Sequence, residues 1–333
     1  MLHCMILVLK DEIILSIVYV PYTVPTSKVQ EALYHEFQAC KILSVSMYEG
    51  VAVVEIEDRE RISTLLETSQ LAHIRVDYVD HHSALLPGWL SLDSGKGNFT
   101  IIHVDAHNDL GRPNLLRYGV HLVDRWTGNI VRPVEMSTVL SAIDSTAIEI
   151  GSYLTMALYW LPITHLIWVC PEDNLGLVRN KMNPRGLRLQ WSHSDPLNSS
   201  VERLGVQPVD DEPYDTSIQI VKNFDSLSKI VQDEHLTNII VDLDLDYFDN
   251  SYENSNLIDP SEKHVSSISD EWVKNQRLRL DQLLDALPFE FIISIGIARS
   301  PGFCPVSKAQ ILKKMVKDSL LKRSRDDYNS PVC

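Results

Sequence analysis

A chain of 333 residues has room for one large α/β domain and a small accessory one. Its formal net charge of −15 argues against a nucleic-acid or anionic-membrane partner, either of which would call for a basic face. Five cysteines without Cys-x-x-Cys spacing point away from a zinc knuckle and from a disulfide framework, so a reducing, cytoplasmic compartment fits. The same acidic balance suits a cationic substrate.

In chain order, Met1 opens a short apolar run to Leu9, and Lys10, Asp11 and Glu12 follow without a small-residue cleavage site, so no signal peptide is expected. Residues 12–80 read as strand, helix, strand, strand, helix, strand. The strands fall near 13–20, 41–48, 51–56 and 74–79, the helices near 27–38 and 58–67. Thr26 or Ser27, and Asp58, suit helix N-caps because a short side-chain oxygen accepts from the free amides of a first turn. Glu49-Gly50 suits a hairpin turn. That order fits a small ferredoxin-like α+β module over 1–75, a candidate peptide-binding unit, with the strand at 74–79 also able to begin the next domain.

Over 76–333 strands near 100–104, 165–169, 239–245 and 291–295 alternate with helices, which predicts a three-layer α/β/α domain around a parallel sheet. Residues 150–171 lack Asp, Glu, Lys and Arg, but Pro162 divides them into a buried helix and a buried strand rather than a membrane span. Residues 174–213 are rich in Asn, Pro, Gly, Ser and Asp and are expected to loop around the site mouth; 249–269 form a second polar loop. A basic amphipathic helix is expected near 308–321.

Two motifs carry chemistry. In Ile101-Ile-His-Val-Asp-Ala-His-Asn-Asp-Leu110, a buried strand ends in Asp105, His107 and Asp109, which share parity and would face one side. Such a set suits a divalent cation better than packing, although a polar loop capping the next helix would look similar. In Ile239-Ile-Val-Asp-Leu-Asp-Leu-Asp-Tyr-Phe-Asp249, Asp242, Asp244 and Asp246 alternate with apolar residues. One strand would align three carboxylates, which repel one another unless cations or protons compensate. Both motifs fall at carboxyl ends of strands, where open α/β sheets collect ligands. A third piece, Val79-Asp-His-His-Ser83, puts His82 23 positions ahead of Asp105.

These pieces, in this order, resemble the arginase and agmatinase (ureohydrolase) superfamily, whose pattern is Gly-Asp-His-Ser, then Asp-Ala-His-x-Asp, then Asp-x-Asp-x-x-Asp-Pro. The fuller wording is similar to the peptide arginase branch, which converts arginine side chains of a ribosomally made precursor peptide to ornithine: His81-His82, Leu86-Pro87, His103-Val-Asp-Ala-His107, Asp242-Leu-Asp-Leu-Asp-Tyr-Phe248 and Ile297-Ala-Arg-Ser300. The resemblance covers roughly 76–310. Asn250 stands where arginases have Pro, and their late glutamate near the substrate has no counterpart.

The resemblance implies two Mn²⁺ ions held by His82, Asp105, His107, Asp109, Asp244 and Asp246. Asp105 and Asp244 would bridge, His82 and Asp109 would complete one set, and His107 and Asp246 the other. Asp242 would orient a ligand, with Asp249 the trailing aspartate. Oxygen-rich ligation without thiolate also favours Mn²⁺ over zinc. A bridging hydroxide would attack the guanidinium carbon and release urea. His121, twelve positions after Asp109, is the expected proton carrier, and an incidental loop histidine is its plain alternative. Glu149, then Glu172 and Asp173, are the expected guanidinium acceptors, with ordinary caps or loop charges as alternatives. Arg299 and Ser300 could contact the peptide or serve structurally. Competing functions are a small-guanidine ureohydrolase, a deacetylase-like metal hydrolase and a non-enzymatic metal-binding scaffold. A homo-oligomer is open.

Overall fold

In a computed structural model of the protein, the residues described are 74–92, 97–171, 184–192, 202–234, 236–250, 268–300, 303–304 and 306–329, together with the backbone of strands ahead of residue 74. Of those early strands, β1 (Cys4–Leu9), β2 (Ile13–Tyr19), β3 (Lys41–Tyr48) and β4 (Val51–Glu57) form an antiparallel sheet in the order β1-β2-β4-β3. Tyr48 pairs with Val51, as the expected turn requires. Three strands of the expected βαββαβ unit are thus adjacent, but Cys4–Leu9 takes the edge that 74–79 would hold in a ferredoxin-like sheet. The expected helix at 27–38, its caps and the residues from Asp58 to Thr64 lie outside the described residues. From Leu65 onward the expected second helix is instead β5 (Leu65–Leu71).

The strand at 74–79, β6 (Ile74–Val79), belongs to a twelve-stranded sheet. Its other members are β7 (Phe99–Val104), β8 (Leu115–Tyr118), β9 (His121–Asp124), β10 (Ile130–Val131), β11 (Ile163–Val169), β12 (Gly186–Ser192), β13 (Glu202–Val209), β14 (Thr216–Val221), β15 (Ile239–Asp244) and β16 (Ile292–Ala298). The order is β10-β9-β8-β13-β12-β14-β11-β7-β15-β16-β6-β5. Neighbours from β14 to β6 run parallel, and both flanks are antiparallel. The central strands are Ile- and Val-rich because both their faces are covered.

Helices lie on the two faces. Leu227 and Val231 of α4 (Phe224–Asp233), Leu280, Leu283 and Leu284 of α5 (Asp270–Ala286), and Leu312, Met315 and Val316 of α6 (Val306–Asn329) pack with Ile102, Val104, Val241 and Leu243. On the other face, Leu86 and Trp89 of α1 (Leu86–Leu90), Val139 of α2 (Met136–Asp144) and Leu154 of α3 (Tyr153–Trp160) pack with Phe99, Ile101 and Ile240. Alternate residues of one strand therefore enter different cores, as period-2 geometry demands. Local chemistry starts two of the helices: Asn223 accepts from the Ser226 amide at 2.8 Å, and Ser269 accepts from the Trp272 amide at 3.1 Å. Among the described residues, no helix is long and apolar enough to cross a membrane.

The expected loop over 174–213 is corrected in part. Two of its segments are β12 and β13, which pair from Gly186–Val209 to Ser192–Arg203, while 172–183 and 193–201, including Glu172 and Asp173, lie outside the described residues. Gly205 and Pro208 inside β13, and polar residues on its half-exposed face, gave that segment a loop-like composition. An antiparallel flank needs only one covered face, so it tolerates them.

Candidate metal centre

Because β7 and β15 are parallel neighbours with His103 opposite Asp242, the strand ends at Asp105 and Asp244 emerge side by side. On each strand the residues facing one core turn polar at the carboxyl end: Ile101, His103, Asp105 on β7, and Ile240, Asp242, Asp244 on β15. His82 reaches the same place from the end of β6, at the start of a 3₁₀ turn over His82–Leu85. Leu85 can lie on the sheet because residue 296 is glycine: a Cβ there would run into the Leu85 side chain. Gly296 pairs with Asp242 across β15 and β16, so a missing side chain on β16 makes room for the turn that delivers His82.

The ligand-type atoms fall into two overlapping groups. His82, Asp105 and Asp109 offer atoms all within 4.8 Å of one another, and so do Asp105, His107 and Asp246. Asp105 is common to both. Asp244 joins them: its Oδ2 lies 2.6 Å from His82 Nε2, and its Oδ1 accepts from the Asp246 amide at 2.8 Å. Asp246 Oδ2 stands 3.1 Å from His107 Nδ1. Asp109 achieves its position with a left-handed backbone, φ 47°, a conformation Asp tolerates better than most residues.

Asp242 is the hub beneath. Its Oδ1 is 2.9 Å from His82 Nδ1, its Oδ2 is 2.8 Å from His103 Nδ1, and the Tyr153 hydroxyl donates to it. With Nδ1 committed to Asp242, His82 presents Nε2 to Asp244 and to Asp105, whose Oδ2 is 3.7 Å away. A carboxylate that fixes the far nitrogen of an imidazole in this way is the usual support for a metal-binding histidine.

The electrostatics follow from burial. Asp105, Asp242, Asp244 and Asp246 are each at most 2% exposed. Burial, then the neighbouring Asp246, Asp109 and Asp244, push Asp105 well above the usual carboxylate range. Burial and Asp244 push Asp246 up to about 6, and burial raises Asp109. Burial alone would lower His82, but Asp242 and Asp244 outweigh it and hold the imidazole well above its ordinary value. Asp242 goes the other way: against burial, His82 and His103 keep it well below the usual range, so it remains an acceptor. Burial, followed by Asp242, raises Tyr153, which keeps its proton to donate.

Asp105 Oδ2 is buried without a hydrogen-bond partner, and Asp246 Oδ2, equally buried, faces His107 Nδ1 at 3.1 Å. A buried carboxylate oxygen left bare costs free energy that a cation would offset. The donor set is oxygen-rich, contains two imidazoles and includes no thiolate, so it fits a pair of hard or borderline divalent ions. His107 is 24% exposed and its ring meets Phe303 edge-on at 4.8 Å, which marks the open side of the centre.

All six expected ligands are therefore brought together. His121 and Glu149 are not among them. His121 is an exposed residue of β9 opposite Tyr118. Glu149 accepts from Asn114 at 2.7 Å, and burial raises its carboxyl against the opposing pull of Arg203. Ser300 is fully buried and its hydroxyl donates to Asp244, so it supports a ligand and does not reach outward to a peptide. It does so with φ 45°, a left-handed backbone that is uncommon for serine. Arg299 pairs with Asp80. The adjacent His81 turns elsewhere, its ring nitrogens buried without a hydrogen-bond partner.

Sequence reasoning missed Tyr153 and the role of His103. The parity His103 shares with Asp105 was a usable signal. Tyr153 sits in an apolar helix and offered none.

No family model matches the chain, and no curated protein matches it. Among solved structures, a native arginase from Bacillus caldovelox at pH 5.6 is similar at a TM-score of 0.29 and 12% identity, over 78% of this chain and 69% of that one. A likeness this weak decides neither fold nor function, so the chemistry of the centre has to be read from its own residues.

Proposed function

We propose that the protein is a two-metal hydrolase that cleaves the guanidinium of arginine side chains in a ribosomally made precursor peptide, leaving ornithine and releasing urea. The observation that carries the reading is the pair of ligand groups sharing Asp105. The sequence motifs supply the substrate. In this reading Asp105 and Asp244 would serve both ions, His82 and Asp109 would complete one set, His107 and Asp246 the other, and both ions would be Mn²⁺. Bound there, the pair supplies an activated water and positive charge for attack on the guanidinium carbon.

The chain's own groups do the rest. Asp242 holds His82 by Nδ1 and keeps Nε2 aimed at the shared carboxylates. His103 and Tyr153 hold Asp242. Substrate approaches past His107 and Phe303, the open side of the centre. Glu149 is the proposed acceptor for the guanidinium, which would take over the attraction Arg203 now exerts there. For His121 as proton carrier to the departing amine, the support is its place in the sequence alone. The N-terminal residues 1–75 act as a module gripping the peptide, and 76–333 as the catalytic domain, working in the cytoplasm.

The test is to load the protein with Mn²⁺, count bound ions, and offer an arginine-containing peptide and free arginine in parallel. Urea together with the peptide mass change from arginine to ornithine is expected. Urea from free arginine alone would refute the peptide substrate. Bound metal with no urea from any guanidine would favour the deacetylase-like or scaffold reading.

A further inference from the structure

Lys308, on α6, is fully buried, an expensive location for an ammonium. Its Nζ lies 2.6 Å from Asp249 Oδ2 and 5.4 Å from the Trp272 ring centroid. The same carboxylate oxygen accepts from Trp272 Nε1 at 2.8 Å, so α5 and α6 grip Asp249 together. The two residues before it are held as well. Arg279 of α5 donates to the carbonyls of Tyr247 and Phe248, each at 3.1 Å, and its guanidinium stands over both rings at 5.0 and 5.5 Å. Every residue from Tyr247 to Asp249 is thus tied to a helix on the face opposite the hub at Asp242.

This segment continues directly from Asp246. The 3₁₀ turn over Leu245–Tyr247 carries Asp246 inward, capped by Asp244. If it shifted, Asp246 would leave His107, whereas His82, Asp105 and Asp109 stand on other elements. A buried ion pair is a weak source of net stability, because apolar residues of similar volume fill such a space at least as well. Registry is the better-attested use of such a pair.

We infer that the Lys308–Asp249–Trp272 cluster is a positioning clamp for the second ion, fixing Asp246 so that the group of Asp105, His107 and Asp246 holds metal alongside the group of His82, Asp105 and Asp109. Lys308 and Trp272 touch neither substrate nor metal and act through Asp249. The inference rests on the two-metal reading.

The experiment measures Mn²⁺ stoichiometry, affinity and the electron paramagnetic resonance spectrum for the wild type, Lys308→Met, Lys308→Arg and Trp272→Phe, with thermal melts of each. The wild type should bind two spin-coupled ions. Lys308→Met should keep one ion and weaken the other by about 10- to 100-fold, the range for losing a supporting partner, so that the coupled spectrum gives way to that of an isolated ion. Lys308→Arg should regain part of the coupling. Trp272→Phe, the milder change, should move in the same direction by less. Two coupled ions in Lys308→Met and Trp272→Phe, at unchanged affinity, would overturn the clamp even if both variants melt earlier. A wild type that binds no second ion would overturn the two-metal reading itself and the clamp with it.

Discussion

The parallel centre of the large sheet and its antiparallel flank use charged residues in opposite ways. In the centre, Asp105, Asp242, Asp244 and Asp246 are almost fully removed from water and crowd one another. On the flank, Arg117 pairs with Glu202 across β8 and β13 with the side chains 35% and 23% exposed, and Arg117 also lies over the Trp191 ring at 4.8 Å. The flank pair is neutralised locally and screened by solvent. The central cluster has no such relief: three histidines, His82, His103 and His107, face five carboxylates, and Asp105 Oδ2 is buried without a hydrogen-bond partner. The contrast teaches that net charge and motif count are poor guides to a site. What marks it is charge that parallel strands force together where both faces are already covered.

The sharpest way to break this comparison is Asp105→Ala. If Asp105 serves both groups, this variant loses both ions and all hydrolase activity together, read by metal analysis and a urea assay. His107→Ala, which touches one group, should retain one ion. Next comes Asp242→Asn, which weakens the hold on His82 and His103. Metal affinity should fall by about 10- to 100-fold while the fold persists, measured by titration with Mn²⁺ and by circular dichroism.

The third is a pH dependence of the metal-free protein. Asp105, Asp109 and Asp246 have pKa values raised by folding, so their contribution to stability is complete below the unfolded value near 3.8 and is lost as pH rises through the folded values. For Asp246, with a folded value of about 6, the window is pH 3.8 to 6. The raised His82 acts in the same direction, its contribution being lost above its unfolded 6.5. The depressed Asp242 works in the opposite direction near its unfolded value of 3.8, where only the unfolded carboxyl still binds a proton, and adds no slope once pH is well above it. The metal-free protein should therefore lose stability between pH 4 and 6, on the order of 3 kcal/mol from Asp246 alone. Added Mn²⁺ should abolish the loss. A flat stability profile across this range, with and without metal, would count against an uncompensated cluster.

Gly296→Val should cost about 1–3 kcal/mol by overpacking against Leu85, and should also weaken the ion that His82 holds, seen in parallel melts and metal titrations. The smallest effect belongs to the flank. Glu202→Gln should change stability by about 0–1 kcal/mol and leave metal binding untouched. A loss of metal there would erase the distinction between the two regions.

Much of the centre was legible in the sequence because all its ligands but His82 sit in two short motifs whose strand parity is local geometry. Asp105 and Asp109 share parity with His103, and Asp244 with Asp242, so neighbouring strands were enough to draw them together. The buried strands β6, β7, β11, β15 and β16 could be read from their apolar runs for the same reason. The half-exposed β12 and β13 could not, since their Gly, Pro and polar residues read as loop. Tyr153, Lys308 and Gly296 carried no signal, because each matters only through contacts more than thirty residues away in the chain.

By itself, then, the sequence determined which strands run through the core and which carboxylates and imidazoles stand at their ends, since hydrophobic periodicity and side-chain alternation are properties of the local chain. Only the tertiary structure decided that Asp105 is held in common by two ligand groups and that Asp242 ties His82 to His103. Those relations depend on which strands become neighbours and on what the absence of a side chain at residue 296 lets through, and neither is encoded within any one segment.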